Sequence, residues 1–264
     1  MKNTLPASML LPLLKKILPA NARLSLRKLF WLSRGWLYLG NKVFCPLCEG
    51  SFRTFLPFGN ERRLQALCPR CHTLERHRLL WLYLQEQVRI QERALDALHM
   101  APEPILQKRL RNLLNLNYRS ADLTSPVAMD QVDLQALPYP SASFDLVLCS
   151  HVLAHVPQDK QALQELRRVL RPTGQLLLQA RLHPQEKTLE VAHALTPHQR
   201  LQAYGQADRF RNYGQDFARR VAAQGFKVKE VEYALARTPE EQARLGLGKG
   251  ERIFVATPVA YEAQ

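Results

Sequence analysis

The stretch SFDLVLCSHVLAHV, Ser143 to Val156, decides how this chain is read. Phe144 to Cys149 is an apolar run broken only by Asp145, the length of a buried strand and too short for a helix. It passes directly into a turn and helix that carry His151 and His155. Outward from it the same rhythm recurs. Strands are expected near Leu95–Met100, Asn117–Ala121 and Gly174–Gln179, and helices near Pro104–Asn115, Gln158–Leu170 and Asp216–Gln224. Short strands alternating with helical stretches predict an α/β domain with a largely parallel sheet. A closing pair, Phe226–Ala236 and Arg252–Thr257, is separated by a short helix after Thr238 and Pro239, and is expected to return antiparallel at the sheet edge.

Ligands of such a sheet bind beyond the carboxyl ends of the strands, so the residues just after each strand are the informative ones. After the first strand come Ala101, Pro102 and Glu103, where a glycine-rich turn would let backbone approach a nucleotide. No glycine is present; Ala101 is small, Pro104 suits the first helical turn, and Glu103 can accept a hydrogen bond. Asp122 ends the second strand, placed to take ribose hydroxyls. Asp133 can meet an adenine amino group, and Leu134 can lie against its ring.

Ahead of this domain stand Cys45-Pro46-Leu47-Cys48 and Cys68-Pro69-Arg70-Cys71, spaced C-x2-C-x19-C-x2-C. Each CxxC turn directs two sulfurs at one point, and two turns complete a tetrahedral shell suited to zinc. Four thiolates close that shell and leave no position for water, so the metal is read as structural. His72 and His77 are spare donors nearby, and Cys149, inside a strand, reads as a small buried apolar residue.

Charge adds a third strand of argument. The 264-residue chain carries 37 basic and 23 acidic residues, a net charge of +14. Eight Lys or Arg and no acid lie between Met1 and Cys48, so an acidic partner, nucleic acid or an anionic membrane surface, suits that end. Residues 1–42 read as one or two basic amphipathic helices, more in keeping with packing on the protein than with a lipid or RNA contact. No run reaches the ~18 apolar residues of a membrane span. The apolar run before Ala20-Asn21-Ala22 is broken by Pro6 and Pro12, unlike a signal peptide. With four of five cysteines in CxxC pairs, a reducing cytoplasmic setting is expected, with peripheral membrane contact left open. The organisation expected is a basic segment, 1–42; a zinc ribbon and connecting helix, 43–93; and an α/β domain, 94–264.

The run from Ser143 to Val156, followed by ELRRVLRPTG from Glu165 to Gly174, resembles the "SFD…HVLEHV…E..RVLKPGG" core of class I methyltransferases of the type 11 kind. The cysteine pairs, LERHR from Leu74 to Arg78 and HMAPEP from His99 to Pro104 resemble a subfamily with a cysteine-pair ribbon. The likeness extends through YGQADRFRNYG, Tyr204 to Gly214, and covers roughly Phe44 to Thr257. Ala154 replaces a Glu, Thr173 replaces the first Gly, and Arg209 stands where relatives usually carry His.

The resemblance implies a Rossmann-like, mostly parallel seven-stranded sheet with helices on both faces, plus a small zinc ribbon. It implies methyl transfer from S-adenosylmethionine to O or N of an acceptor. Ala101, Pro102 and Glu103 would meet the methionine end of the cofactor, Asp122 its ribose, and Asp133 and Leu134 its adenine, with Ser150 and His151 as further cofactor-binding residues. His151 and His155 are the base candidates. Tyr204, Asp208, Arg209, Arg211 and Tyr213 are expected around the acceptor. A small-molecule, saccharide or lipid-linked acceptor leads; an RNA methyltransferase gripping phosphates with its basic N-terminus is the alternative, and a cofactor-fold module without turnover the third.

Overall fold

The computed structural model describes residues 35–59, 62–191, 195–248 and 250–259. The expected N-terminal basic helices lie almost wholly outside them.

The central sheet grows from the apolar runs. Strands β5 (Leu95–Met100), β6 (Leu116–Asp122), β8 (Phe144–Ser150) and β9 (Leu170–Gln179) are parallel neighbours in the order β9-β8-β5-β6. The two-residue strand β7 (Asp130–Gln131) extends this edge. On the other edge, β11 (Ile253–Pro258) runs antiparallel to both β9 and β10 (Phe226–Val231), as expected of the closing pair. The full order is β10-β11-β9-β8-β5-β6-β7. It reverses between β5 and β8, and this switch point fixes where a ligand crevice opens.

Alternation along the strands divides the core in two. Leu95, Ala97, Leu146, Leu148 and Leu177 face one cluster; Leu98, Met100, Val147, Cys149, Leu176 and Leu178 face the other. Helices α3 (Asp159–Val169) and α5 (Phe217–Ala222) cover the second face with Leu163, Leu166, Phe217 and Val221. The first face receives α1 (Glu75–Tyr83) and α2 (Pro104–Arg111), and with them the cysteine-rich region. Val43, Leu47, Phe52 and Phe55 share one apolar cluster with Leu95, Leu106, Leu146 and Ile253.

That region consists of two hairpins, β1 (Leu39–Cys45) with β2 (Gly50–Phe52) and β3 (Leu56–Phe58) with β4 (Arg63–Leu67). Arg78 of α1, fully buried, ties it down. Its guanidinium donates to the carbonyls of Ala66 and Thr73 in the hairpin region and of Leu245 and Gly246 at the end of α6 (Pro239–Leu245). It also stacks on Phe55, 4.1 Å from the ring centre.

One expected element is corrected. The helix anticipated directly after Ser150 is a single 3-10 turn, Leu153–His155, and α3 starts only at Asp159. Pro157 explains this, because a residue before proline is pushed out of helical geometry, and Val156 is extended (φ −97°, ψ 128°). Strand Phe226–Ala236 likewise ends at Val231 and continues as a 3-10 turn, Tyr233–Ala236.

Candidate functional site

At the switch point three buried polar side chains end adjacent strands on the α1 face: His99 of β5, Ser150 of β8 and Gln179 of β9. Ser150 Oγ donates to Gln179 Oε1 at 2.9 Å, and Gln179 Nε2 donates to the carbonyl of Arg76 at 3.3 Å. The first turn of α1 therefore roofs the crevice. No spacing rule in the sequence assigns these residues to a cofactor site; His77 stands out there only as a spare donor beside the cysteines.

Beyond β5 the chain turns through Ala101, which adopts φ +50°, the left-handed region that glycine occupies without cost. The backbone geometry of a glycine turn is thus present without the glycine. Pro102 is buried and Glu103 caps the start of α2. Glu103 lies between two imidazoles: His77 Nε2 is 3.2 Å from Oε1, and His99 Nε2 is 3.2 Å from Oε2. The other nitrogens settle the tautomer of His77, because its Nδ1 accepts from Leu74 N at 3.2 Å and its proton must sit on Nε2. His99 Nδ1 meets the Tyr118 hydroxyl at 2.9 Å. Burial pushes the Glu103 carboxyl upward, but the two histidines outweigh it and hold it well below the ordinary range. Glu103 is a fixed anion at neutral pH.

The strand-end aspartates differ. Asp122 is half-buried, and its Oδ1 accepts from Thr124 N (2.8 Å) and Ser125 N (2.6 Å). Both bonds fall on one oxygen, so the turn orients the carboxylate with its other oxygen outward. Asp133 is exposed and engaged by Gln135, at 2.8 Å from its backbone N. Leu134 is buried in the second core cluster.

His151 leaves β8 in the left-handed region, φ +58°, with its N–H bonded to the Gln179 carbonyl at 2.8 Å. Its Nε2 is buried without a hydrogen-bond partner. Burial first, then the positive field of Arg76, presses its pKa well below 6.5, so the ring is neutral at pH 7. His155 instead sits 3.1 Å from Asp208, which is exposed.

The expected acceptor residues separate. Arg211 is buried and donates to the carbonyls of Leu153, Val156 and Pro157 and to Glu190. The Tyr213 hydroxyl donates to Asp159 at 2.8 Å, and that of Tyr204 accepts from Val191 N at 2.9 Å. These three side chains spend their polar atoms on the fold. The sequence showed polar and aromatic density here without showing that it closes on itself. Arg209 differs: its Nε is buried without a hydrogen bond, and with Arg211, Tyr213, His151 and His155 it borders a small cavity of ≈ 20 Å³, room for about one water.

The four cysteine sulfurs lie within 4.8 Å of one another. Zinc with Zn–S of ~2.3 Å requires tetrahedral edges of about 3.8 Å. Cys45 to Cys71 is 3.6 Å and Cys48 to Cys68 is 3.7 Å, too long for any disulfide and fitted to that shell. His77 is turned to Glu103 and takes no part. Cys149 is buried, its thiol pushed up to about 12 by burial, as suits a packing residue.

Residues 101–178 match the family described as a methyltransferase domain. The chain is 36% identical over 74 residues to the 27-O-demethylrifamycin SV methyltransferase of Amycolatopsis mediterranei, covering 28% of this chain and 27% of that one. It is 48% identical over 48 residues to the ubiquinone/menaquinone biosynthesis C-methyltransferase UbiE of Hahella chejuensis, 18% of this chain and 19% of the relative. The chain therefore spans about a quarter or less of the length of these relatives. A Burkholderia thailandensis 1,6-didemethyltoxoflavin-N1-methyltransferase, solved with S-adenosylhomocysteine, superposes with a TM-score of 0.44 at 16% identity, over 68% of this chain and 76% of that one. Strand order and family match together make the α/β domain a class I, Rossmann-like methyltransferase domain.

Proposed function

We propose that the chain built around this methyltransferase domain transfers a methyl group from S-adenosylmethionine to a small-molecule, saccharide or lipid-linked acceptor. The observation that carries the reading is the convergence of Ala101, Glu103, Asp122 and His151 on the switch point within the matched segment. The relatives' names span C-, O- and N-directed chemistry, so the atom methylated is set by the acceptor site and not by the domain.

When bound, S-adenosylmethionine supplies an electrophilic methyl carbon on a sulfonium. The chain's own part is positioning, because displacement needs the nucleophile held in line. Asp122, fixed by its turn, offers its free oxygen to ribose hydroxyls. The left-handed turn at Ala101 brings backbone close to the methionine end. An amino-acid zwitterion needs an anion and a cation side by side, and Glu103, within electrostatic reach of Arg76, provides the pair. Arg76 is half-buried with its Nε unpartnered. His151, neutral and facing the crevice with Nε2 unused, is the better of the two base candidates, since His155 is engaged by Asp208.

Zinc on Cys45, Cys48, Cys68 and Cys71 is proposed as structural: it holds the hairpins from which α1 extends over the crevice. The ribbon is thus a wall of the cofactor site, which favours an enclosed small acceptor over a polymer gripped on the surface.

Calorimetric titration of the zinc-replete protein with S-adenosylhomocysteine tests the reading. Saturable binding is expected, weakened tenfold to a hundredfold in Asp122→Ala, about the 1.5–3 kcal/mol of hydrogen bonds to a charged group. Absence of binding to folded protein would overturn it.

A further inference from the structure

Ten of the fourteen net positive charges fall in the first 72 residues, where twelve Lys or Arg stand against Glu49 and Glu61. Seven of those cations precede Gly35, the first described residue, with no acid among them. Gly35 enters the ribbon beside Arg70: a Cβ on it would stand 3.4 Å from the Arg70 Cβ. The residues that follow face solvent. Trp36 is 75% exposed, Leu37 68% and Leu39 51%. Packing on the protein, expected of residues 1–42, therefore does not extend to these side chains.

This apolar ridge is fixed to the ribbon and framed by cations. Arg53 N donates to the Tyr38 carbonyl at 2.7 Å, and the Arg53 guanidinium donates to the carbonyl of Leu37. Trp36, Leu39, Phe52 and Arg70 line an open hollow of ≈ 420 Å³. Arg70 also borders a groove of ≈ 630 Å³ between the ribbon and α2, lined by Leu47, Pro104 and Ile105 with Lys108 and Arg109. Arg109 is engaged by Glu49 at 2.9 Å. Arg53, Arg70 and Lys108 are exposed and meet no carboxylate among the described residues.

Exposed apolar side chains gathered in one patch, rimmed by unpaired charge, mark an interaction surface. Charge limits what can cover it. The chain's own residues 1–34 bring seven more cations and no acid, and a second copy brings the same cations face to face. A nucleic acid would neutralise the cations, but phosphate contacts leave Leu37 and Leu39 in water. An anionic lipid surface satisfies both kinds of side chain. Its headgroup phosphates meet the cations, and the ridge enters the acyl boundary, where tryptophan is favoured. No helix among the described residues is long and apolar enough to cross a bilayer, so the contact is peripheral.

We propose that the ribbon docks on an anionic phospholipid bilayer, with Trp36, Leu37 and Leu39 entering the interface and Arg53, Arg70 and Lys108 set against the headgroups. This goes beyond the methyl-transfer reading and does not rest on it, since the docking surface shares no residue with the cofactor crevice.

The test floats the full-length, zinc-replete protein with vesicles of phosphatidylcholine alone and of phosphatidylcholine mixed equally with phosphatidylglycerol. Flotation is expected with the mixture and not with phosphatidylcholine, and it should weaken as salt screens the headgroups. The triple variant Trp36→Ser, Leu37→Ser, Leu39→Ser should partition about tenfold or more weaker. Arg70→Gln with Lys108→Gln should partition about threefold or more weaker. Leu189→Ser with Leu201→Ser, a loss of exposed leucines outside the ribbon, should change nothing. Thermal unfolding and zinc content confirm that each variant is folded. On vesicles with brominated acyl chains, bound protein should show quenched tryptophan emission, less so in Trp36→Phe. Equal flotation of the triple variant would place the contact outside this patch and overturn the proposal. So would absence of flotation, or flotation equally strong with phosphatidylcholine alone. A single-stranded RNA oligonucleotide is titrated in parallel. RNA binding that weakens tenfold in Arg70→Gln with Lys108→Gln, without vesicle binding, would assign the surface to nucleic acid instead.

Discussion

At residue scale, two positive φ angles, at Ala101 and His151, mark the proposed site. Ala101 at φ +50° holds a conformation that costs an L-residue about 1–2 kcal/mol. Glycine relieves that cost and adds ~0.5–1 kcal/mol of unfolded-chain entropy against folding. Ala101→Gly is therefore expected to be neutral or to stabilise by about 0.5 kcal/mol in urea unfolding, with S-adenosylhomocysteine affinity retained. Marked destabilisation would show that the turn is not strained. His151 gives a pH signature. Its folded pKa lies well below 6.5, so below pH 6.5 the unfolded chain binds the proton that the folded chain refuses. Its contribution is complete above 6.5 and lost as pH falls toward the folded value. Wild-type protein should lose about 1 kcal/mol more than His151→Gln between pH 7.5 and 5.5, since one pKa unit is ~1.4 kcal/mol. Equal losses would mean that His151 titrates normally.

At element scale, α1 couples the metal region to the crevice. One of its turns carries His77 to Glu103 and the Arg76 carbonyl to Gln179; Arg78 anchors to hairpin carbonyls. Chelating the proposed zinc, or Cys68→Ser, should then lower S-adenosylhomocysteine affinity as well as Tm. His77→Ala should reproduce the affinity loss, fivefold or more, with little change in Tm relative to chelation. An affinity unmoved by either change would reduce the ribbon to an appendage. Legibility follows the elements too. Strands β5 and β8 were visible because buried parallel strands are short apolar runs, and the CxxC pairs because tetrahedral sulfur ligation imposes spacing. The two-residue β7 has no periodicity to detect. The helix expected after Ser150 failed because local apolar density outweighed Pro157 in the reading, whereas the backbone obeys the proline. The His77–Glu103–His99 contact could not be seen in the sequence at all, since it joins α1 to β5 through tertiary packing, and Arg211 read as a substrate residue because burial is invisible to composition.

At the scale of the whole molecule, the boundary expected near residue 93 divides the sequence but not the core. Val43, Leu47, Phe52 and Phe55 lie in one cluster with Leu95, Leu146 and Ile253. Arg78 then fastens that cluster to the C-terminal region through Leu245 and Gly246. Gly246 itself has φ +58°, and a Cβ there would stand 2.4 Å from the Phe55 ring, so the seam tolerates no larger residue. A shared core unfolds as one unit, because neither half can expose its face of the cluster without cost to the other. The zinc-replete protein is therefore expected to show coincident urea transitions whether followed by metal release or by far-ultraviolet circular dichroism. Arg78→Leu leaves several buried carbonyls without donors and should cost about 3–5 kcal/mol, with loss of coincidence as the hairpins release first. Arg78→Lys keeps the charge but not the forked geometry, and should fall between the two. Two separate transitions in the unaltered protein would show that the ribbon and the methyltransferase domain are independent bodies, and the coupling assigned to α1 would then have to act across a movable joint.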